Sequence, residues 1–501
     1  MSRPAASPTE DDRSAAASGR ATAFWRGWTL GGWLAVVAGA AFVAISLPVV
    51  LNGAPLADDY WLCLRPARDG SFWPYFGAMW QDGGVVRPAR YLEYALISRC
   101  TDVPFAFVIV VPLALKLIVA WLLCRLLRDL GLASPWPGVA AAVWMLEPLG
   151  TESALWPAAL HIGLGLTLAL SALLGFRHDR VALGTLAALG AFLSLEQAIF
   201  ALPLAVWWTG SKTSRRRATI ATAVAACVVL AAYATWPGVN PKNTMAVADR
   251  LHGLIADPSW YVLFPAAGLG FHSGSLGFVW MLPFSLAVVL GAAALGSIAA
   301  PAILRGSRGS PIRWSFDVVA IPVALIFLIN LPLLLTLPNV GLSARTFTPT
   351  WLVVSALVAR VGASVRWQRV RLLGAVAGTL AAFAVMSLLL SVSVRLRTAE
   401  FDRAAAGWIA ARTVDGDVVA VCDVPRTVVE PAPVGSFHLH ALHSEESSWV
   451  QYHTGRIVEV RRSGERYWGA PCPLLDGADL IVSFPDLLRD VTSLRVHRGT
   501  P

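Results

Sequence analysis

Runs of about twenty apolar residues recur along most of the chain, and they constrain its fold more than any motif does. A helix needs about 20 apolar residues to cross the hydrocarbon of a bilayer. Apolar runs, several of them shorter than this, are read at Phe24 to Leu51, Phe105 to Leu127, Pro137 to Leu149, Ala154 to Phe176, Val181 to Leu193 and Ile199 to Trp208. They continue at Ala218 to Trp236, Gly277 to Leu304, Val318 to Leu337, Phe347 to Val361 and Leu372 to Val394. The pattern predicts an all-α polytopic membrane protein with about eleven transmembrane helices over residues 24–394. Trp260 to Phe271 is too short to cross and reads as an interfacial or re-entrant piece. Composition agrees, with 56% hydrophobic and only 14% charged residues, where soluble domains carry about 25% charged. The net charge of +9 raises the question of nucleic acid. Short basic clusters between apolar runs form no continuous basic stripe, so nucleic acid is excluded as a partner.

Between and around the spans lie four polar regions. Residues 1–23 are small and polar and read as a disordered cytoplasmic N-terminus with no cleaved leader. Two large loops cover residues 52–104 and 237–259. Residues 395–501 have soluble composition and are expected to form a small α/β domain. It is read with a helix over Glu400 to Arg412 and strands at Asp417 to Cys422, Arg456 to Val460 and Leu480 to Phe484. With the N-terminus inside, the inner segments carry roughly twice as many Lys and Arg as the outer ones, which supports that orientation. Both large loops and the C-terminal domain then face outward. Cys63 and Cys100 share the first outer loop, and Cys422 and Cys472 share the C-terminal region, so two disulfides on the oxidising side are allowed. Heavy Arg and Ala usage points to a G+C-rich bacterial coding sequence, and hence to the bacterial plasma membrane.

Ionisable residues are scarce, so their positions are informative. Asp58 and Asp59 directly follow the first span, in a loop that also holds Trp61, Trp73, Trp80, Arg87 and Arg90. Paired carboxylates can act as a general base with a supporting acceptor; they can also cap a helix at a membrane exit. Glu152 in "EPLGTESALW" and Glu196 in "LSLEQAIFALP" fall at turns expected on the same outer side. Acids near membrane depth are costly and read as functional by default, with helix capping as the plainer alternative. Arg87, Arg90, Lys242 and Arg345 are outer cations suited to a phosphate, or to ordinary lipid headgroups. His161 lies in the fourth span, where it reaches the site or pairs within the bundle. His438, His440 and His443 read as structural histidines rather than a zinc site.

Taken together, this pattern resembles the GT-C superfamily, the polytopic glycosyltransferases that use polyprenyl-phosphate sugars. The resemblance rests on Asp58-Asp59 opening the first outer loop and on the turn from Pro148 to Glu152 with Trp156 beyond. It rests also on Ser194-Leu195-Glu196 to Pro203, on the second outer loop, and on Arg345 to Pro349 at a late span entry. It is similar to the protein mannosyltransferase and aminoarabinose transferase-like members. Leu195 stands where many relatives have Lys. The resemblance implies transfer of a sugar from a polyprenyl-phosphate donor to an envelope glycan, lipid or protein. Asp58 would be the base, Asp59 and Glu152 would act with it, and Trp61, Arg87, Arg90, His161, Glu196, Lys242 and Arg345 would bind substrate. No cofactor is obligatory in this scheme; a divalent cation, Mg or Mn, bridging carboxylates and phosphate is compatible with it. A lipid or sugar transporter, or a non-catalytic envelope scaffold, are the alternatives. A transporter would be expected to carry ionisable groups in mid-span, where Lys116 and His161 fall.

Overall fold

The apolar runs fold as helices, and the contacts between helix ends fix how those helices alternate. The computed structural model describes residues 30–55, 63–64, 95–97, 103–146, 150–235, 290–291, 293–298, 316–336, 348–364, 370–422, 448–462, 478–483 and 495–497. The helices are α1 (Leu30–Asn52), α2 (Phe105–Asp129), α3 (Trp136–Leu146), α4 (Gly150–Leu155) and α5 (Leu160–Arg177). They continue as α6 (Val181–Ser194), α7 (Glu196–Thr209), α8 (Arg215–Thr235), α9 (Phe316–Thr336), α10 (Thr348–Ser364) and α11 (Val370–Ala410).

Among the described residues, three segments are long and apolar enough to cross a membrane: Leu30–Asn52, Phe105–Asp129 and Pro157–Arg177, with mean hydropathies of 2.5, 2.6 and 1.9. Their surroundings fit lipid better than water. Phe107 and Trp121 on α2 are 65% and 63% exposed, and Leu186 on α6 and Val228 on α8 are similarly bare. In water each bare apolar side chain forgoes about 25 cal/mol per Å² of burial; against acyl chains that penalty disappears. Pro48, Pro112 and Pro203 sit inside α1, α2 and α7, as membrane helices tolerate where neighbours re-satisfy the backbone.

Arg177, the last residue of α5, reaches two other helix ends. Its Nη2 donates to the Asp129 carbonyl at 2.9 Å and its Nη1 to the Thr209 carbonyl at 3.4 Å. Beside it, His178 Nε2 lies 2.9 Å from the Asp129 carboxylate. Asp179, in a left-handed conformation at φ 59°, accepts from Ser211 and from Thr213. Hydrogen bonds from Ser211, Ser214 and Thr213 hold its carboxyl below the usual range. The C-terminal ends of α2, α5 and α7 are therefore together. Close approaches add other elements to this first end. A Cβ on Gly138 would lie 1.7 Å from the Gly31 carbonyl oxygen, so α1 and α3 start side by side only because both residues are glycine. A Cβ on Gly362 would strike the Trp136 ring, which brings the end of α10 here too.

The second end follows by elimination, since each helix begun or finished at the first must have its other terminus opposite. It carries the close of α1, the start of α2, α4, and the starts of α5, α7 and α10. At this end Asn330 Nδ2 on α9 donates to Thr350 Oγ1 on α10 at 3.0 Å. Between the two ends, Lys116 is buried at the middle of α2. Its Nζ lies 4.9 Å from the Phe42 ring centroid of α1 and 5.5 Å from that of Trp144 on α3. Trp144 Nε1 also donates to the Lys116 carbonyl at 3.2 Å. A cation between two aromatic faces is stabilised by their quadrupoles, more so when desolvated.

Two sequence expectations are corrected. The run Ala154 to Phe176 is not one helix. Trp156 is extended because Pro157 follows it, Pro157–Ala159 form a 3-10 turn, and α5 begins only at Leu160. Glu196 does not sit in a turn before its helix but is the first residue of α7, after an extended Leu195.

The expected boundary at 394/395 falls inside a continuous helix. α11 has 41 residues, about 60 Å of helix against roughly 30 Å of hydrocarbon, so its C-terminal part projects beyond the bilayer. After it come β1 (Val418–Cys422), α12 (Ser448–Thr454), β2 (Glu459–Arg462), β3 (Leu480–Ser483) and β4 (Arg495–His497). The sheet order is β2-β1-β3-β4. β1 is parallel to β2 and β3, with Val419 opposite both Val460 and Leu480, and β4 is antiparallel to β3. Asp479 caps the strand start, its Oδ2 accepting from the Val418 amide at 2.8 Å.

α12 packs on α11, and His453 lies in that contact. Burial, helped by the charge of Arg403, pushes its imidazole down to about 4 from 6.5. The unfolded chain therefore binds the proton more readily, and stability must rise with pH across this window. The expected result is a thermal midpoint for the full chain that falls as pH drops from 6.5 to 4, with no further contribution from this group below. His453→Phe should flatten that slope; an unchanged slope rejects the assignment.

Candidate functional site

Polar side chains are rare in the bundle interior, and a group of them lies at the second end. The Leu195–Glu196 turn is seated against α5. A Cβ on Gly165 would lie 2.6 Å from Leu195 Cβ, so this contact depends on the glycine. Gly165 is one turn along α5 from His161, which puts the start of α7 next to the start of α5. His161 is buried at 5% exposure, and Ser153, Ser194 and Gln197 are buried with it. Glu196 is half-buried. As the first residue of α7 it also faces that helix's positive dipole end, which lowers the cost of keeping it charged. Glu152 lies on α4, a short helix packed against α2 and α5. The same end of the bundle thus carries Glu196, His161 and the helix bearing Glu152.

Asp58, Asp59, Trp61, Arg87, Arg90, Lys242 and Arg345 lie outside the described residues, as do His438, His440 and His443. Two flanking segments are described. Arg345 is three residues ahead of α10, whose first residues Thr348 and Thr350 are buried, the latter bonded to Asn330. Asp58 is four residues past Ala54. Ala54 is 3% exposed, and its carbonyl accepts from Arg395 Nη2 at 3.0 Å. Arg395 is fully buried, and Asp402, two turns further along the same face of α11, is fully buried as well. Burying an arginine is expensive unless it is satisfied, so this contact is a strong fastening between elements 341 residues apart. Cys63 is buried and disulfide-bonded; its expected partner, Cys100, lies outside the described residues. Cys124 and Cys227 are free thiols.

Sequence reasoning gave no role to Arg395, Gln197 or the Asn330–Thr350 pair. Arg395 was signalled only as a cation at the expected end of the last span. The other two carry no spacing that would mark them. Among the described residues, no cluster of three or more His, Cys, Asp or Glu could hold a metal ion. The carboxylates that would hold one, Asp58 and Asp59, are not among those residues. Chemically, the described part of the site offers one carboxylate, one imidazole and neutral hydrogen-bonding groups beside apolar walls. No protein-family profile matches the chain, and no curated protein matches it.

Replacing Arg395 with Met should orphan the buried Ala54 carbonyl, at a cost of about 1–3 kcal/mol. It should also speed proteolytic cleavage between Pro55 and Val103. Unfolding in detergent and limited proteolysis of the same sample measure both effects. Wild-type cleavage rates in the variant would show that Arg395 does not fasten this segment.

Proposed function

We propose that the chain is a membrane-embedded glycosyltransferase that moves a sugar from a polyprenyl-phosphate donor to an envelope glycan, lipid or protein. In this reading the second end faces outward from a bacterial plasma membrane, and the first end, with Arg125, Arg128, Arg177, Arg180 and Arg215–Arg217, faces the cytoplasm. The basic character of the first end supports that orientation. The observation that carries the reading is the gathering of Glu196, His161 and the helix bearing Glu152 at the end where Arg395 fastens Ala54. The acidic pair follows Ala54 by only four and five residues in the sequence.

The chemistry is the one that the resemblance implies. Asp58 takes the proton from an acceptor hydroxyl, whose oxygen attacks the anomeric carbon as the bond to the lipid phosphate breaks. Attack opposite the leaving phosphate inverts the anomeric centre. Arg87, Arg90, Lys242 and Arg345 offset the charge that develops on the phosphate. Asp59 and Glu152 support the base, and Trp61, Glu196 and His161 bind the sugar. The span count of about eleven, with an α/β C-terminal domain outside, belongs to the same proposal. Lys116 and His161 are the groups that would favour a transporter; Lys116 sits between the Phe42 and Trp144 rings, and His161 is the second residue of α5, away from mid-span.

Asp58→Asn tests the reading. General-base loss costs about 10²–10⁴-fold in rate. Transfer of labelled sugar from a polyprenyl-phosphate donor, assayed in membranes at matched protein level, should fall within that range. Undiminished transfer rejects Asp58 as the base, and no transfer by the wild-type chain with any such donor rejects the function.

A further inference from the structure

An apolar cleft of about 130 Å³ runs between α2, α5, α7, α9 and α10. Its walls are aliphatic along nearly their whole length, with Leu126, Leu170, Leu202, Leu325 and Ala356 among them. It follows α7 from Gln197 to Thr209 and α10 from Pro349 to Arg360, about 16–18 Å at 1.5 Å per residue. The cleft thus runs most of the way between the two ends of the bundle, a length and width suited to a single extended acyl chain.

Charge distinguishes its two ends. Among the described residues, Arg360 is the one ionisable residue lining the cleft, and it lies at the first end of the bundle. Its guanidinium stands 5.2 Å from the Trp208 ring centroid. Its Nε is buried with no hydrogen-bond partner among the described residues. Arg177 adds positive charge there, since the Thr209 carbonyl it bonds belongs to a residue lining the cleft. The nearby Asp129 carboxylate is already engaged by His178 at 2.9 Å and Arg125 at 3.7 Å. The opposite end has neutral Gln197 beside the carboxylate of Glu196, which repels an anion.

We propose that this cleft is a binding site for an anionic glycerophospholipid of the leaflet at the first end. One acyl chain lies along α7 and α10, and the phosphodiester pairs with Arg360. A guanidinium over an aromatic face keeps its N–H edge free for phosphate oxygens, and the narrow aliphatic cleft leading away from it suits a single chain. The much longer polyprenyl chain exceeds it, and a donor reacting near Asp58 would carry its phosphate at the other end. The site does not depend on the transferase reading.

Native mass spectrometry of the purified full chain tests this, with phosphatidylglycerol and phosphatidylcholine of identical acyl chains added in detergent. One phosphatidylglycerol should be retained about fivefold or more over phosphatidylcholine, in line with one basic residue at an anionic lipid. Arg360→Gln should erase the preference, Arg360→Lys should keep most of it, and Ala356→Phe, which narrows the cleft, should weaken retention of both lipids. Equal retention of the two lipids by the wild-type chain overturns the proposal, as does a preference that survives Arg360→Gln. So does retention of neither lipid, which would mean that the chain's own residues close the cleft. Displacement of phosphatidylglycerol by an equal amount of long-chain polyprenyl phosphate would assign the site to that lipid instead.

Discussion

Arg177 donates one hydrogen bond to the carbonyl that ends α2 and another to the carbonyl near the end of α7, and the polarity of the bundle depends on that fork. The last carbonyls of a helix have no partner within it, and here one side chain satisfies two such termini. Once three C-terminal ends share one side, three N-terminal ends must share the other. The starts of α2, α5 and α7 are thereby committed to a single face, and with them His161 and Glu196. Asp179, Ser211, Thr213 and Ser214 extend the same fastening to the loops that follow.

Small residues then let the helices approach. Gly31 meets Gly138 where α1 and α3 begin, and Gly165 accepts Leu195 where α7 begins. The second contact seats Leu195, the neighbour of Glu196, against α5 one turn from His161. Lys116 works midway between the ends, where α1, α2 and α3 share one buried cation between two rings. Such a charge is tolerable only because its partners are preformed, and it ties three helices together in a way a leucine would not. Arg395 does the corresponding work between α11 and the exit of α1.

Helix positions were legible in the residues because the bilayer imposes one rule, a length of apolar sequence, on every span. Boundaries were less legible where a local effect competes with that rule. Pro157 delays α5 although Ala154 and Leu155 are apolar. Helix-favouring Ala399, Glu400 and Ala404–Ala406 let α11 run past the end of the apolar run at Val394, so the change in composition at 395 does not break the helix. At the site, Glu152, Glu196 and His161 were visible because ionisable residues are conspicuous in an apolar chain. Arg395 on Ala54, Asn330 on Thr350 and Arg360 on Trp208 join residues distant in sequence. No periodicity or spacing encodes such pairs; only the packing of particular helices brings them together.

The central claim is that the acidic residues and the basic turns occupy opposite sides of a membrane, with the acids outward. In a chain whose free Cys124 and Cys227 are replaced by serine, single cysteines at Asp58, Glu152 and Lys212 can be probed on intact cells with a membrane-impermeant maleimide. The account predicts that Asp58→Cys and Glu152→Cys are labelled from outside and that Lys212→Cys is labelled only after permeabilisation. Labelling of Asp58→Cys and Lys212→Cys from the same side would contradict it.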